Sequence, residues 1–222
     1  SLKRTGTRNT ALVALCVAAT IVAASIDSLA QGTSAPEPRI LDARTDSLTR
    51  IVVASSDGAL VASGSTDGTV TVWETTSWTT RFNPPRQRQS VEALRFSSDN
   101  KFLYVADEAG RIAVIDLTRS REIRSIRSLG WHVRYGSARS VFSADGGLVA
   151  TYWSPGRLDI RTLTVEVYST LTKKRVGRIR VAESLNISMM CFTPDARHLV
   201  LGAYNREVIA YEVTSGQAKF RL

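Results

Sequence analysis

The sequence predicts an all-β chain of four four-stranded antiparallel meanders, preceded by one N-terminal hydrophobic helix. Three observations predict it. Asp57, Asp99, Asp145 and Asp195 are each followed by a bulky apolar residue that closes an alternating run: Trp73, Ile115, Tyr168 and Tyr211. The interval is 16 residues in three copies and 23 in the third. Self-similarity at a period of roughly 40–50 residues marks a repeat architecture, in which each unit buries its apolar faces against its neighbours. The second observation is the alternation of apolar residues before and after the turn Asp residues, the pattern of half-buried strands. The third is turn chemistry at regular spacing: Asp57-Gly58 and Asp67-Gly68 each supply the positive φ of a tight hairpin.

The elements follow in chain order. Lys3, Arg4 and Arg8 precede an uncharged apolar run, 11–26, ended by Asp27 and followed by the small-residue exit Ser28-Leu29-Ala30. Residues 1–30 therefore read as a signal peptide or a membrane anchor, with a soluble core helix or strand pair as the third reading. In the first two, the positive flank stays inside and everything after Ala30 crosses the membrane. The expected location is thus extracytoplasmic, as a secreted, periplasmic or anchored protein; a cytoplasmic location is the alternative. Residues 31–38 are small, polar and Pro-rich, a linker. Residues 39–222 carry the repeats, in units of about 50–84, 91–127, 139–180 and 187–222. The chain starts on Ser and stops inside a strand pattern at Phe220-Arg221-Leu222, so it reads as part of a longer one.

In each unit three alternating strands are followed by a more polar fourth: 78–82, 121–127, 175–180 and 217–222. Charge on an outer strand blocks unwanted edge pairing. Four strands per repeat of this length is the make-up of a propeller blade. Four blades predict an open or partial propeller, and 38–43 read as a stray outer strand able to complete the last blade.

The run Ser-Gly-Ser-Thr-Asp-Gly-Thr-Val-Thr-Val-Trp-Glu, Ser63 to Glu74, resembles the WD-repeat (WD40-like) β-propellers. The likeness extends at the level of the repeat over 50–222. Trp73-Glu74 keeps the family's Trp–acid pair, whereas the other copies end Ile115-Asp116, Tyr168-Ser169 and Tyr211-Glu212. The family's Gly-His pair is missing from all four copies, so its His-containing hydrogen-bond network cannot form. The resemblance implies a divergent member and a protein-binding scaffold.

Composition narrows the chemistry. The chain has 222 residues, 43% hydrophobic, with a net charge of +9 from 24 Arg and 5 Lys against 20 acids. Two cysteines, Cys16 and Cys191, cannot make a disulfide framework, and two histidines, His132 and His198, cannot assemble a His/Cys metal site. No nucleophile stands near a base, so no catalytic, cofactor or metal residue is expected. Cys191 reads as a buried, inert thiol on an inner strand and His198 as a structural or surface residue. The four repeat Asp residues read as turn caps. The inner strands, through residues such as Val53, Leu94, Arg95, Phe96, Val141, Phe142, Cys191 and Phe192, offer almost no ligands.

Binding is expected on the face that carries the second-to-third-strand turns and the links between units. Arg86, Arg88, Trp131, Arg134, Tyr135, Arg157, Arg161 and Arg206 fall there, together with the seven extra residues of the third copy. Insertions on one face of a repeat protein mark a binding face, and Arg with aromatics is the composition of interface hot spots. The functional expectation is a non-enzymatic scaffold or sensor module binding a protein or peptide, without nucleic acid, and touching a membrane only through its N-terminal segment. The alternatives are part of a secreted propeller enzyme, of lactonase or quinoprotein dehydrogenase type, and an intracellular WD-repeat scaffold.

Overall fold

The computed structural model describes residues 47–127, 137–154, 162–182 and 186–221. The chain divides into two units, Ser1–Asp42 and Ala43–Leu222. The expected helix, the linker and the stray strand at 38–43 lie outside the described residues.

The second unit is built of four meanders. The first contains β1 (Thr49–Ala54), β2 (Leu60–Ser65), β3 (Val70–Glu74) and β4 (Thr79–Phe82). The second contains β5 (Val91–Phe96), β6 (Phe102–Asp107), β7 (Arg111–Asp116) and β8 (Arg121–Arg127). The third contains β9 (Ser137–Phe142), β10 (Leu148–Ser154), β11 (Thr162–Ser169) and β12 (Arg175–Ala182). The fourth contains β13 (Ile187–Phe192), β14 (His198–Ala203), β15 (Val208–Glu212) and β16 (Ala218–Arg221). Each forms its own antiparallel four-stranded sheet, with strands in sequence order. The inner strands run side by side, β1 against β5, β5 against β9 and β9 against β13.

The repeat Asp residues are turn caps, as expected. In every copy a hydroxyl two residues earlier donates to the Asp carboxylate: Ser55 to Asp57, Ser97 to Asp99, Ser143 to Asp145 and Thr193 to Asp195, at 2.5–2.6 Å. The same carboxylate oxygen accepts the amide two residues later, from Ala59, Lys101, Gly147 and Arg197. The hydroxyl oxygen in turn accepts the first amide of the next strand, from Leu60, Phe102, Leu148 and His198. The residue after Asp takes positive φ in all four: Gly58, Asn100, Gly146 and Ala196. These hydrogen bonds favour the ionised form, and all four carboxyls lie below the ordinary aspartate value, the hydroxyl bond being the largest cause.

The constant interval to the closing residue has a backbone cause. The carbonyl two residues after each Asp accepts the amide two residues after the closing residue. The pairs are Ala59 with Thr75, Lys101 with Leu117, Gly147 with Thr170 and Arg197 with Val213, at 2.8–3.0 Å. The end of the third strand is thereby tied to the turn between the first two. The third copy differs because part of its extra length extends β10 and β11 to 7 and 8 residues; residues 155–161 lie outside the described residues.

Alternation then sorts side chains into interblade cores. Leu60, Ala62, Val70 and Val72 of the first blade meet Leu103, Val105, Ala113 and Ile115 of the second. Ala106, Ile112 and Tyr104 meet Phe142, Val149 and Tyr168 of the third. Val165, Val167 and Ile179 meet Leu199, Leu201, Ile209 and Tyr211 of the fourth. Ile115, Tyr168 and Tyr211 thus each plug the joint with the preceding blade, where all three are buried. Gly64 marks a close approach, since a methyl group there would run into Val91.

One expectation fails here. Cys191 is exposed, not buried. Along the regularly paired part of β13, Met190 and Phe192 pack into the core shared with the third blade, and alternation turns Cys191 the other way. The far side of the fourth blade is open, with Met189 70% and Phe220 67% exposed. His198 lies on that side too, its ring edge-on to Phe220 at 6.5 Å.

Candidate functional site: the loop-rich face

Meander topology puts the β2–β3-type turns and the interblade links at the opposite end from the Asp caps. In the first blade the Asp67-Gly68 turn is closed by Thr69, whose amide and hydroxyl donate to the Asp67 carboxylate at 2.9 and 3.0 Å. Arg86, from the link to the second blade, donates Nε to the Asp67 carbonyl at 2.7 Å and holds Nη2 3.2 Å from its carboxylate. Burial pushes the Asp67 carboxyl up, but the Thr69 bonds, Ser47 and Arg86 outweigh it and hold it below the ordinary value. The link itself is locked: the Gln87 amide donates to the Gly68 carbonyl at 2.8 Å, and Arg111 donates to the Gln87 side chain. Gly68 has φ +87°, and a side chain there would strike the Gln87 carbonyl.

At the inner end of the same face lies a charged cluster. Arg50 of β1 sits 2.9 Å from the Glu92 carboxylate of β5 and also pairs with Glu108 in the β6–β7 turn. Arg139 of β9 holds the other Glu92 oxygen at 2.8 Å. One carboxylate, only 7% exposed, therefore links three blades. Its hydrogen bond is the main reason the Arg139 guanidinium is held still more firmly protonated. Tyr152 borders this cluster; burial raises its phenol, Arg139 opposes that, and Glu92 and Tyr204 add to it.

Three of the eight expected binding residues are described. Arg86 is exposed yet committed to Asp67, while Arg88 and Arg206 are exposed on the same end of the meanders. Arg206 occupies the β14–β15 turn with φ +72°, beside Asn205, which donates to Glu207 at 2.9 Å. Trp131, Arg134, Tyr135, Arg157 and Arg161 lie outside the described residues. Arg50, Glu92 and Arg139 were missed by the sequence reading. A signal was present, because a charged residue of alternating sign stands near the start of each of the first three inner strands. Among the described residues no group of three His, Cys, Asp or Glu side chains is placed to hold a metal, and no helix is long and apolar enough to cross a membrane.

Residues 38–74 match the family model "WD domain, G-beta repeat". No curated protein matches the sequence. Among solved structures the chain is similar to one titled "Kuenenia stuttgartiensis Hydrazine Synthase", with TM-score 0.61 and 20% identity. The match covers 76% of this chain and 52% of that one, so this chain spans about half of that structure's length. At such identity the likeness speaks to the fold. One repeat matches the WD family model in sequence and the same four-stranded meander is built four times, which together support a WD-repeat propeller.

Proposed function

We propose that this propeller is a non-enzymatic binding module that takes an acidic protein segment or peptide on its loop-rich face. The observation that carries the reading is how the charges on that face are distributed. Asp67 is consumed by its own turn and by Arg86, and Glu92 by two arginines. Arg88 and Arg206 remain as exposed cations on the same end. Exposed arginines beside turns that are already satisfied recognise carboxylates by charge-assisted, two-pronged hydrogen bonds. The proposal includes export or anchoring through residues 1–30, supported by the basic-then-apolar order of that segment.

Binding of a fluorescent oligo-glutamate peptide to the full chain tests the surface. The Arg88→Ala/Arg206→Ala double variant should weaken it by roughly tenfold, with a steep dependence on salt. Binding that persists unchanged in the variant rules this face out. Export is tested separately, by adding protease to spheroplasts expressing tagged protein. A propeller that stays protected there is not exported.

A further inference from the structure

The eighth residue after each turn Asp stands at the loop-rich end of the second strand: Ser65, Asp107 and Ala203 are the last residues of β2, β6 and β14, and Trp153 is the last but one of β10. In three successive blades this position is polar, and Ser65 Oγ, Asp107 Oδ2 and Trp153 Nε1 are all buried without a hydrogen-bond partner. For a hydroxyl or an indole that is a modest cost. For a carboxylate it is a cost borne by the charged form. Asp107 is fully buried. Its Oδ1 accepts the amides of Ala109 at 3.0 Å and Arg111 at 2.9 Å, which shapes the turn through Gly110.

That turn is a junction of three blades. The Glu108 side chain pairs with Arg50 of the first blade. Its amide donates to the Ser90 carbonyl at 2.9 Å, and its carbonyl accepts the amide of Ala138, in the third blade, at 2.8 Å. We propose that Asp107 is a proton-operated latch for this junction: protonated, it keeps the turn seated; ionised, it loosens the turn and the loop-rich face above it.

The charged groups around Asp107 fit that role. Burial raises its carboxyl, the Arg111 and Ala109 amides and the Arg111 charge oppose this, and Glu108 adds to it; the result is raised. Arg111 on β7 is itself engaged by Gln87 and by Glu122 on β8. Arg50 is shared between Glu92 and Glu108. Across the joint, Asp67 and Arg86 pair with each other. An acid with a raised folded-state value binds more protons folded than unfolded. Its contribution is therefore present on the acid side and is lost as pH rises from the ordinary aspartate value through the raised one.

Hydrogen exchange of the full chain, read by peptide mass and corrected for intrinsic rates between about pH 4 and pH 7.5, tests the latch. Segments 105–112 and 137–140 should lose roughly tenfold protection toward neutral pH, while 198–203 stays constant. Asp107→Asn should abolish the pH dependence. Asp107→Ser, which copies Ser65 of the first blade, should do the same and decides the matter if the Asn variant fails to fold. A flat wild-type profile, a variant that retains the drop, or a parallel loss in 198–203 each overturns the proposal.

Discussion

Replacing Glu92 by Ala removes a carboxylate that joins three blades, and its cost can be worked from the geometry. One charge-assisted hydrogen bond, at 2.8 Å to Arg139, and one ion pair, at 2.9 Å to Arg50, are lost. In a dry site each contributes about 1.5–3 kcal/mol. Arg50 is 30% and Arg139 47% exposed in the side chain, so water screens both and about 1 kcal/mol each is the better figure. Removing the nearly buried carboxylate also recovers part of its desolvation cost. The expected net loss is therefore about 1–2 kcal/mol. Urea unfolding followed by tryptophan fluorescence measures it. Arg139→Ala alone should cost less, because Glu92 keeps Arg50. The Glu92→Ala/Arg139→Ala cycle should show a coupling of about 0.5–1 kcal/mol, shrinking between about 0.05 and 0.5 M salt. A coupling indistinguishable from zero at low salt would refute the view that this ion pair helps hold the second and third blades together.

Ser143 is buried, donates to Asp145 at 2.5 Å and accepts the Leu148 amide at 2.9 Å; Ser143→Ala should cost about 1–3 kcal/mol, read as a lower thermal midpoint. Gly177→Ala would drive a methyl into the Val213 carbonyl between the third and fourth blades, costing about 1–3 kcal/mol, whereas Gly58→Ala meets no atom and should show only the backbone cost of positive φ, about 1–2 kcal/mol. Because the turn carboxyls of Asp57, Asp99 and Asp145 are lowered in the fold, their contribution is complete above the ordinary aspartate value. It is lost as pH falls from that value through the lowered one, so Asp99→Asn should be less stable than the wild type near neutral pH and converge with it in acid. Circular dichroism across the acid range reads that difference.

Much of the architecture could be read from the chain because its causes are local. The Ser/Thr-x-Asp cap, the positive-φ residue after it and the alternating strands all act within a few residues, so the four meanders and their turn carboxylates were visible from spacing alone. The fourth strand 121–127 coincides with β8, while β12 runs on to Ala182. The candidate surface was less accessible. Arg86 looked like a free cation, yet Asp67 from a turn 19 residues earlier takes it. Glu92 lies 42 residues from Arg50 and 47 from Arg139, separations at which spacing carries no information about pairing.

The sequence by itself determined the repeat, the strand order and the role of each turn Asp, because hydrogen bonds across two to five residues follow from residue type and order. Only the tertiary structure decided which face of each strand meets which blade, which arginines are engaged and that Cys191 faces outward. The physical reason is that these depend on how blades dock. Met190 and Phe192 are covered by the core shared with the third blade while Cys191, on the opposite face of β13, is exposed, and charges from separate blades meet only after the sheets have packed.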